Sequence, residues 1–428
     1  MTINMIDRLK QFFDKKSEFF NHVVVLLSGT VLAQMVPVVI SPVLSRLYTP
    51  ENFGLFAFMF GIVMILVPFF NGRYDAAIIV PRKEAEAFLL FKLTIYISLF
   101  MLLVVSGAIT LLFEKPTIVF SMGKNEHLLY LLPVTALFFS FYMTCDFFLN
   151  RHKQYKKIST IMIFRVLIVS VFQIVLGIFY EQGLLYGLVF GMFFVSGIQV
   201  WYVYPYFKGI ATFSVQKVAK KYQNYPLYHM PHTFFNALSN HVPVLLLSYL
   251  FTLSETGIYM MALKVFYTPF SMLGSSIEKV FRKQIVDALH HNEKIETKVK
   301  TMLYKVVVYS LIPFMFLVWL APSIFTFILG SAWGEVGRYI QILSPWIYLA
   351  FVVSMFVGVP IVLEEQKKSL MIEIVYFLLR TVGLLIGAVL YQDIYIALLL
   401  YSIGGSMVIC YNLFWIYALV KKSRGSKI

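Results

Sequence analysis

The chain has 428 residues, 60% hydrophobic and only 13% charged, with a formal net charge of +15. Soluble domains carry about 25% charged and 45–50% apolar residues, so water is excluded as the main solvent and a bilayer takes its place. The positive charge, which in a soluble protein would point to nucleic acid, falls between apolar runs, and no nucleic-acid partner is expected.

Residues 1–22 are polar and cationic, with Ile6, Leu9, Phe12, Phe13, Phe19 and Phe20 set among Arg8, Lys10, Lys15 and Lys16. They read as a cytoplasmic amphipathic segment on the inner leaflet, and the apolar run that follows has no small-residue cleavage site, so the first span is expected to be its own anchor. A bilayer core about 30 Å thick takes about 20 apolar residues per helix. Runs of that length predict an N-lobe over 23–207, with spans at 23–47, 53–72, 87–113, 128–149, 158–180 and 184–207. A cytoplasmic linker, 208–228, leads to a C-lobe over 229–420, with spans at 229–251, 257–280, 303–329, 336–363, 369–390 and 394–420, and a basic cytoplasmic tail, 421–428.

The expected fold is an all-α integral membrane protein of about 12 transmembrane helices, multi-pass, with both termini cytoplasmic. Under this count about 27 of the 36 Lys and Arg fall in cytoplasmic segments, against about 4 in the opposite loops. A missing or extra span would scatter clusters such as Arg151, Lys153, Lys156 and Lys157. The loops are too short for a soluble domain, and no phosphate-binding G-x-x-x-x-G-K-[ST] loop appears, so no ATP chemistry and no cofactor are expected. The two cysteines, Cys145 and Cys410, each lie in an apolar run and define neither a disulfide framework nor a metal site.

A repeat is visible. Ser45-Arg46-Leu47-Tyr48-Thr49 with Gly54-Leu55-Phe56 matches Ser248-Tyr249-Leu250-Phe251-Thr252 with Gly257-Ile258-Tyr259 at a constant offset of 203 residues. A weaker echo pairs the basic stretch after the fourth span with Glu364-Glu365-Gln366-Lys367-Lys368 after the tenth. Six spans separate the copies, an even number, so the halves form a parallel repeat: two six-helix lobes around a central cavity, the arrangement of alternating-access transporters.

Polar residues mark that cavity. On the seventh span His229, His232, Thr233, Asn236, Ser239 and Asn240 share one helical face; Lys264, Thr268, Ser271, Ser275, Glu278 and Arg282 do so on the eighth, and Thr30, Gln34, Pro37 and Ser41 on the first. Serines and threonines alone are explained by hydrogen bonds between neighbouring helices. Charges are harder to dismiss, because Arg or Lys near a helix centre costs about 2.5–3.5 kcal/mol on insertion scales. Arg165, Lys264 and Arg380 are the deepest; the structural alternatives are pairing of Arg380 with Glu373 and of Arg165 with Asp146. Arg46, Arg73 and Asp75 lie near span ends, where they either gate a cavity or are solvated. A cationic cavity calls for an anionic substrate, and guanidinium forks suit phosphate, so a phosphorylated amphiphile is expected.

Ser28-Gly29-Thr30, Ala33-Gln34, the run Ser45 to Gly54 and Arg73-Tyr74-Asp75-Ala76-Ala77-Ile78-Ile79-Val80-Pro81 resemble the polysaccharide transporter branch of the multidrug/oligosaccharidyl-lipid/polysaccharide exporters, which includes the O-antigen (Wzx-type) flippases. Tyr225-Pro226, Asn236-Ala237-Leu238-Ser239-Asn240, Val242-Pro243, Gly257-Ile258-Tyr259 and the run Pro269 to Phe281 resemble that family's seventh and eighth helices. The resemblance implies a bacterial inner-membrane flippase, not an enzyme, that moves an undecaprenyl-diphosphate-linked oligosaccharide, an O-antigen or related surface-polysaccharide precursor, to the periplasmic leaflet. It also implies membrane lipids and polysaccharide polymerase machinery as partners, and it places Arg46, Arg73 and Asp75 at family positions.

The expected substrate site is therefore Arg46, Arg73, Arg165, Lys264, Arg380, Gln34, Asn236 and Asn240. Asp75, Asp146, Glu278 and Glu373 are candidates for proton or sodium coupling or for charge pairing. Two rivals remain: a drug/cation antiporter of the same superfamily, which calls for a more acidic cavity, and a membrane glycan polymerase or ligase, which calls for a large periplasmic loop.

Overall fold

A computed structural model describes residues 30–113, 123–207, 215–291 and 294–422. The expected amphipathic segment 1–22, most of the basic tail and part of the linker lie outside these residues. Every described element is helical, and ten helices are long and apolar enough to cross a membrane.

In chain order the helices are α1 (Thr30–Leu47), α2 (Pro50–Asn71), α3 (Tyr74–Ala77), α4 (Glu84–Phe113), α5 (Leu131–Arg151), α6 (Tyr155–Gly177), α7 (Gly183–Val203) and α8 (Val215–Lys221). A π-turn, Tyr225–His229, leads into α9 (Met230–Leu250). The eighth span is α10 (Leu253–Ala262) and α11 (Thr268–His290), joined by a second π-turn, Leu263–Tyr267. Then come α12 (Ile295–Leu329), α13 (Glu335–Ser354), α14 (Gly358–Val362), α15 (Gln366–Val389) and α16 (Ile394–Lys422). Each predicted span has its helix. The seventh and eighth are absent from the ten most apolar because the polar stripe lowers the hydropathy of α9 and the π-turn divides the eighth.

The described residues form two compact units: those within 58–241 together with 30–40, and those within 242–422 together with 41–57. The end of α1 and the start of α2 therefore belong to the second unit. The repeat explains how they are held there. Thr49 caps α2, its Oγ1 accepting from Asn52 N at 3.3 Å, and Thr252, 203 residues on, caps α10 in a capping box with Glu255. Gly54 lies against the backbone of Leu253, and Gly257 against the backbone of Pro50. Since Pro50 and Leu253 are themselves related by 203, the two copies meet reciprocally, as identical surfaces do across a two-fold axis. Trp333, fully buried, donates its indole N–H to Ser45 O at 2.9 Å and packs edge-on to Phe53, fixing the same segment.

The weaker echo is a shared turn: Lys153 (φ 54°) and Glu364 (φ 59°) both take the left-handed conformation just past a helix end. Within the first unit, α6 and α7 approach closely because Gly187 and Gly191 leave room for the backbone at Gln173 and Val169. Gln173 donates to Leu184 O at 3.1 Å across this contact.

One end of the first unit gathers alternate connections. Arg151, at the end of α5, donates to the carbonyls of Ile78, Ile79 and Pro81 and clamps Glu84 through Nε and Nη2. Lys221 reaches Glu86 at 2.6 Å, and Tyr74 donates to Ala219 O at 3.1 Å. The segments after the second, fourth and sixth spans thus share one face, as an even-numbered span pattern requires.

Candidate functional site

Of the cations expected at the site, Arg73 and Arg165 fall in the first unit and Lys264 and Arg380 in the second, and each lies against an aromatic ring. In the first unit, α2 ends at Asn71 and the chain turns through Gly72 (φ 52°) and Arg73 (φ 58°), both left-handed. Asn71 builds this turn: its Oδ1 accepts from Arg73 N, and its Nδ2 donates to Asp75 Oδ2, both at 3.0 Å. The Arg73 guanidinium sits 3.6 Å from Asp75 Oδ2 and 5.9 Å from the centre of the Phe147 ring. Asp75 is fully buried and Arg73 is 8% exposed. Burial pushes the Asp75 carboxyl above the usual carboxylate range, with the Arg73 charge, the Ala76 amide and His229 pulling the other way.

Arg165, midway along α6, lies 5.0 Å from the Tyr142 ring of α5. Asp146, one turn beyond Tyr142, is within electrostatic reach of Arg165, yet no ion pair closes between them among the described residues. Asp146 Oδ1 and Arg165 Nε are both buried without a hydrogen-bond partner. A cleft of about 370 Å³ opens beside Asp146, lined by Thr30, Tyr142, Met143, Asp146, Phe147, Asn150, Tyr155, Ile158 and Met162. Phe147 touches both this cleft and Arg73.

In the second unit, Lys264 sits in the π-turn, half-buried, with Nζ 5.5 Å from the Phe53 ring. A π-turn inserts a residue and re-aims the side chains around it, a distortion that recurs at functional sites. Arg380, midway along α15, is enclosed by three rings: Tyr401 at 4.2 Å, and Trp346 and Tyr376 at 4.5 Å each. The cage is itself braced. Trp346 donates to Tyr376 Oη at 2.6 Å, Tyr401 accepts from Tyr259 at 3.1 Å, and Tyr267 stacks on Trp346. Among the described residues no carboxylate lies within ion-pair distance of Lys264 or Arg380, and Glu373 is exposed rather than paired with Arg380.

The other expected residues are more open. Gln34, Arg46, Asn236 and Asn240 are exposed. Asn240 donates to Asn236 O and Oδ1 at 2.9 and 3.2 Å, and Thr233 bonds back to His229, so the α9 stripe is pre-ordered along its own helix. Glu278 pairs with Arg282 at 3.2 Å one turn away.

Sequence reasoning found the cations and missed what surrounds them. Tyr376 stands four residues before Arg380, a signal that was present, but Trp346 and Tyr401 come from other helices. Asn71 carried no signal at all. Chemically, each cation has part of its solvation replaced by ring faces, and at Lys264 and Arg380 the charge also has no carboxylate within ion-pair distance among the described residues, which suits an incoming anion.

Residues 43–338, more than half of the chain, match the model of a family described as polysaccharide biosynthesis protein. No curated protein matches significantly. Among solved structures, the lipid II flippase MurJ in an inward closed conformation matches with a TM-score of 0.66 at 13% identity, over 95% of this chain and 90% of that one. An inward-facing multidrug resistance MATE family transporter of the MOP superfamily matches with a TM-score of 0.62 at 16% identity, over 93% and 96%. A MOP superfamily transporter from Pyrococcus furiosus, described as having a binding pocket of reverse polarity, matches with a TM-score of 0.58 at 15% identity, over 94% and 95%. At these identities the likeness is one of fold, that of MOP superfamily transporters.

Proposed function

Because the chain belongs to the polysaccharide biosynthesis protein family, we propose that it is a flippase for an undecaprenyl-diphosphate-linked oligosaccharide repeat unit, an O-antigen or related surface-polysaccharide precursor. It works in a bacterial inner membrane, with both termini cytoplasmic, and delivers its substrate to the periplasmic leaflet, where polymerase machinery takes it up. The observation that carries this reading is the set of cations in or beside the spans, above all Arg380, caged by three rings with no carboxylate partner among the described residues. A drug/cation antiporter needs the opposite sign.

Arg73, Arg165, Lys264 and Arg380 are the cations offered to the diphosphate, while the polyprenyl tail stays in lipid. The guanidinium groups bind two phosphate oxygens each and the ammonium acts as a point charge. The exposed amides of Gln34, Asn236 and Asn240 and the exposed Arg46 supply hydrogen bonds to sugar hydroxyls. No covalent bond is made or broken, and access alternates between the two sides. Carrying two negative charges to the positive side of the membrane is favourable by about 4.6 kcal/mol per 100 mV.

The test is transfer of a fluorescent undecaprenyl-diphosphate oligosaccharide between leaflets of liposomes holding the purified protein. Wild type moves the lipid; Arg165→Ala, Lys264→Ala and Arg380→Ala, inserted normally, lose at least about tenfold in rate, the equivalent of 1.4 kcal/mol. Full rates in all three variants would overturn the site, and a folded wild type that moves no such lipid would overturn the function.

A further inference from the structure

The joint between α2 and α4 holds chemistry that substrate binding leaves unused. Gly72 and Arg73 are consecutive left-handed residues, and for arginine that conformation is strained. Asn71 over-determines the turn from both sides. Its product is a fully buried carboxylate satisfied on one oxygen only: Asp75 Oδ2 takes Asn71 and Arg73, while Oδ1 has no hydrogen-bond partner. Such a group lowers its cost by taking a proton.

The same joint grips the connection between the sixth and seventh spans. Tyr74 donates to Ala219 O, Lys221 and Tyr222 both reach Glu86, and α3 packs against the π-turn Tyr225–His229 that opens α9. We propose that Asp75 is a proton-binding residue that latches α8 and the first turn of α9 onto the end of α2, the neutral acid holding the latch shut and the ionised form releasing it.

The charged groups acting on Asp75 are Arg73 in its own turn and His229 in the π-turn. On the packed helices, Arg151 of α5 is occupied by Glu84 and by three carbonyls, and Glu84 and Glu86 of α4 are each bound to a cation. Arg73 and His229 therefore oppose burial, and burial prevails.

The sign follows from linkage. Shut, the latch holds Asp75 above its ordinary range; released into water, the carboxyl returns to it. Protons bind more tightly to the shut form, so acid favours it, and raising the pH through the elevated value releases it. The latch thus makes proton uptake and release a mechanical event at the segment joining the two predicted lobes. It goes beyond the flippase reading and does not require it.

The experiment places spin labels on the exposed positions Lys83→Cys and Gln216→Cys, with Cys410→Ser and buried Cys145 retained, and reads the distance between them across pH 4.5–9 in lipid nanodiscs. Wild type shows one short distance in acid and a second, longer one appearing as the pH rises. Asp75→Asn, permanently neutral, shows the short distance throughout. His229→Gln moves the transition without removing it. A wild-type transition that survives in Asp75→Asn, one that vanishes in His229→Gln, or a single distance at every pH overturns the proposal. Should Asp75→Asn not fold, Asp75→Glu decides it, because an unmoved midpoint overturns it equally. No lipid substrate enters the measurement, so its failure is distinct from failure of the transport assay.

Discussion

A guanidinium inside a bilayer persists only where something replaces water around it. For Arg380 that is three ring faces rather than a carboxylate, and a lysine cannot reproduce the fit because its ammonium is a compact point charge without a planar face. Arg380→Lys should therefore lose most of the transport that Arg380→Ala loses, about tenfold or more in leaflet-transfer rate, while both insert at wild-type levels. Arg151 is different: its side chain is 9% exposed and spends every donor group on Glu84 and the 78–81 carbonyls. Arg151→Ala should lower stability by about 1–3 kcal/mol, seen as a lower thermal unfolding midpoint in detergent. Asp75 sets a pH dependence. Its raised folded value means that its stabilising contribution is present in acid and is lost as the pH rises through that value. Wild type should accordingly melt at a higher temperature at pH 5 than at pH 8, with Asp75→Asn flattening that difference.

At the scale of elements, the repeat acquires a physical basis. Thr49 and Thr252 begin helices by the same capping interaction, and Gly54 and Gly257 are glycines because the partner copy's backbone occupies the space a Cβ would need. Gly54→Ala and Gly257→Ala should each destabilise the protein by at least about 1–3 kcal/mol, read from thermal melts, because backbone atoms cannot swing aside as a long side chain can. The spans were legible as runs of about 20 apolar residues. The break in the eighth span was not: nothing local in Leu263-Lys264-Val265-Phe266-Tyr267 distinguishes a π-turn from an α-helix, and its cause lies in packing. The left-handed Arg73 was equally hidden, since arginine gives no sign of positive φ until Asn71 and Asp75 are seen to hold it.

For the whole molecule, the segments after the second, fourth and sixth spans meet on one face of the first unit. If that face is cytoplasmic, Lys153→Cys and Lys220→Cys should react with a membrane-impermeant thiol reagent only after the inner membrane is opened. Arg46→Cys and Arg338→Cys should react from the periplasm; the reverse pattern would invert the orientation.

The sequence by itself determined the solvent, the number of spans, the parallel repeat and the presence of cations within spans. These follow from hydropathy, span length and the cost of charge in hydrocarbon, which are properties of residues and short segments. Only the tertiary structure decided that Arg380 is caged by rings from α13, α15 and α16, that the hairpin joining α1 and α2 belongs to the second unit, and that Asp75 is fully buried in α3, which packs against the π-turn leading into α9. Those facts depend on which helices pack together. Side chains tens to hundreds of residues apart settle that packing jointly, and no local pattern records it.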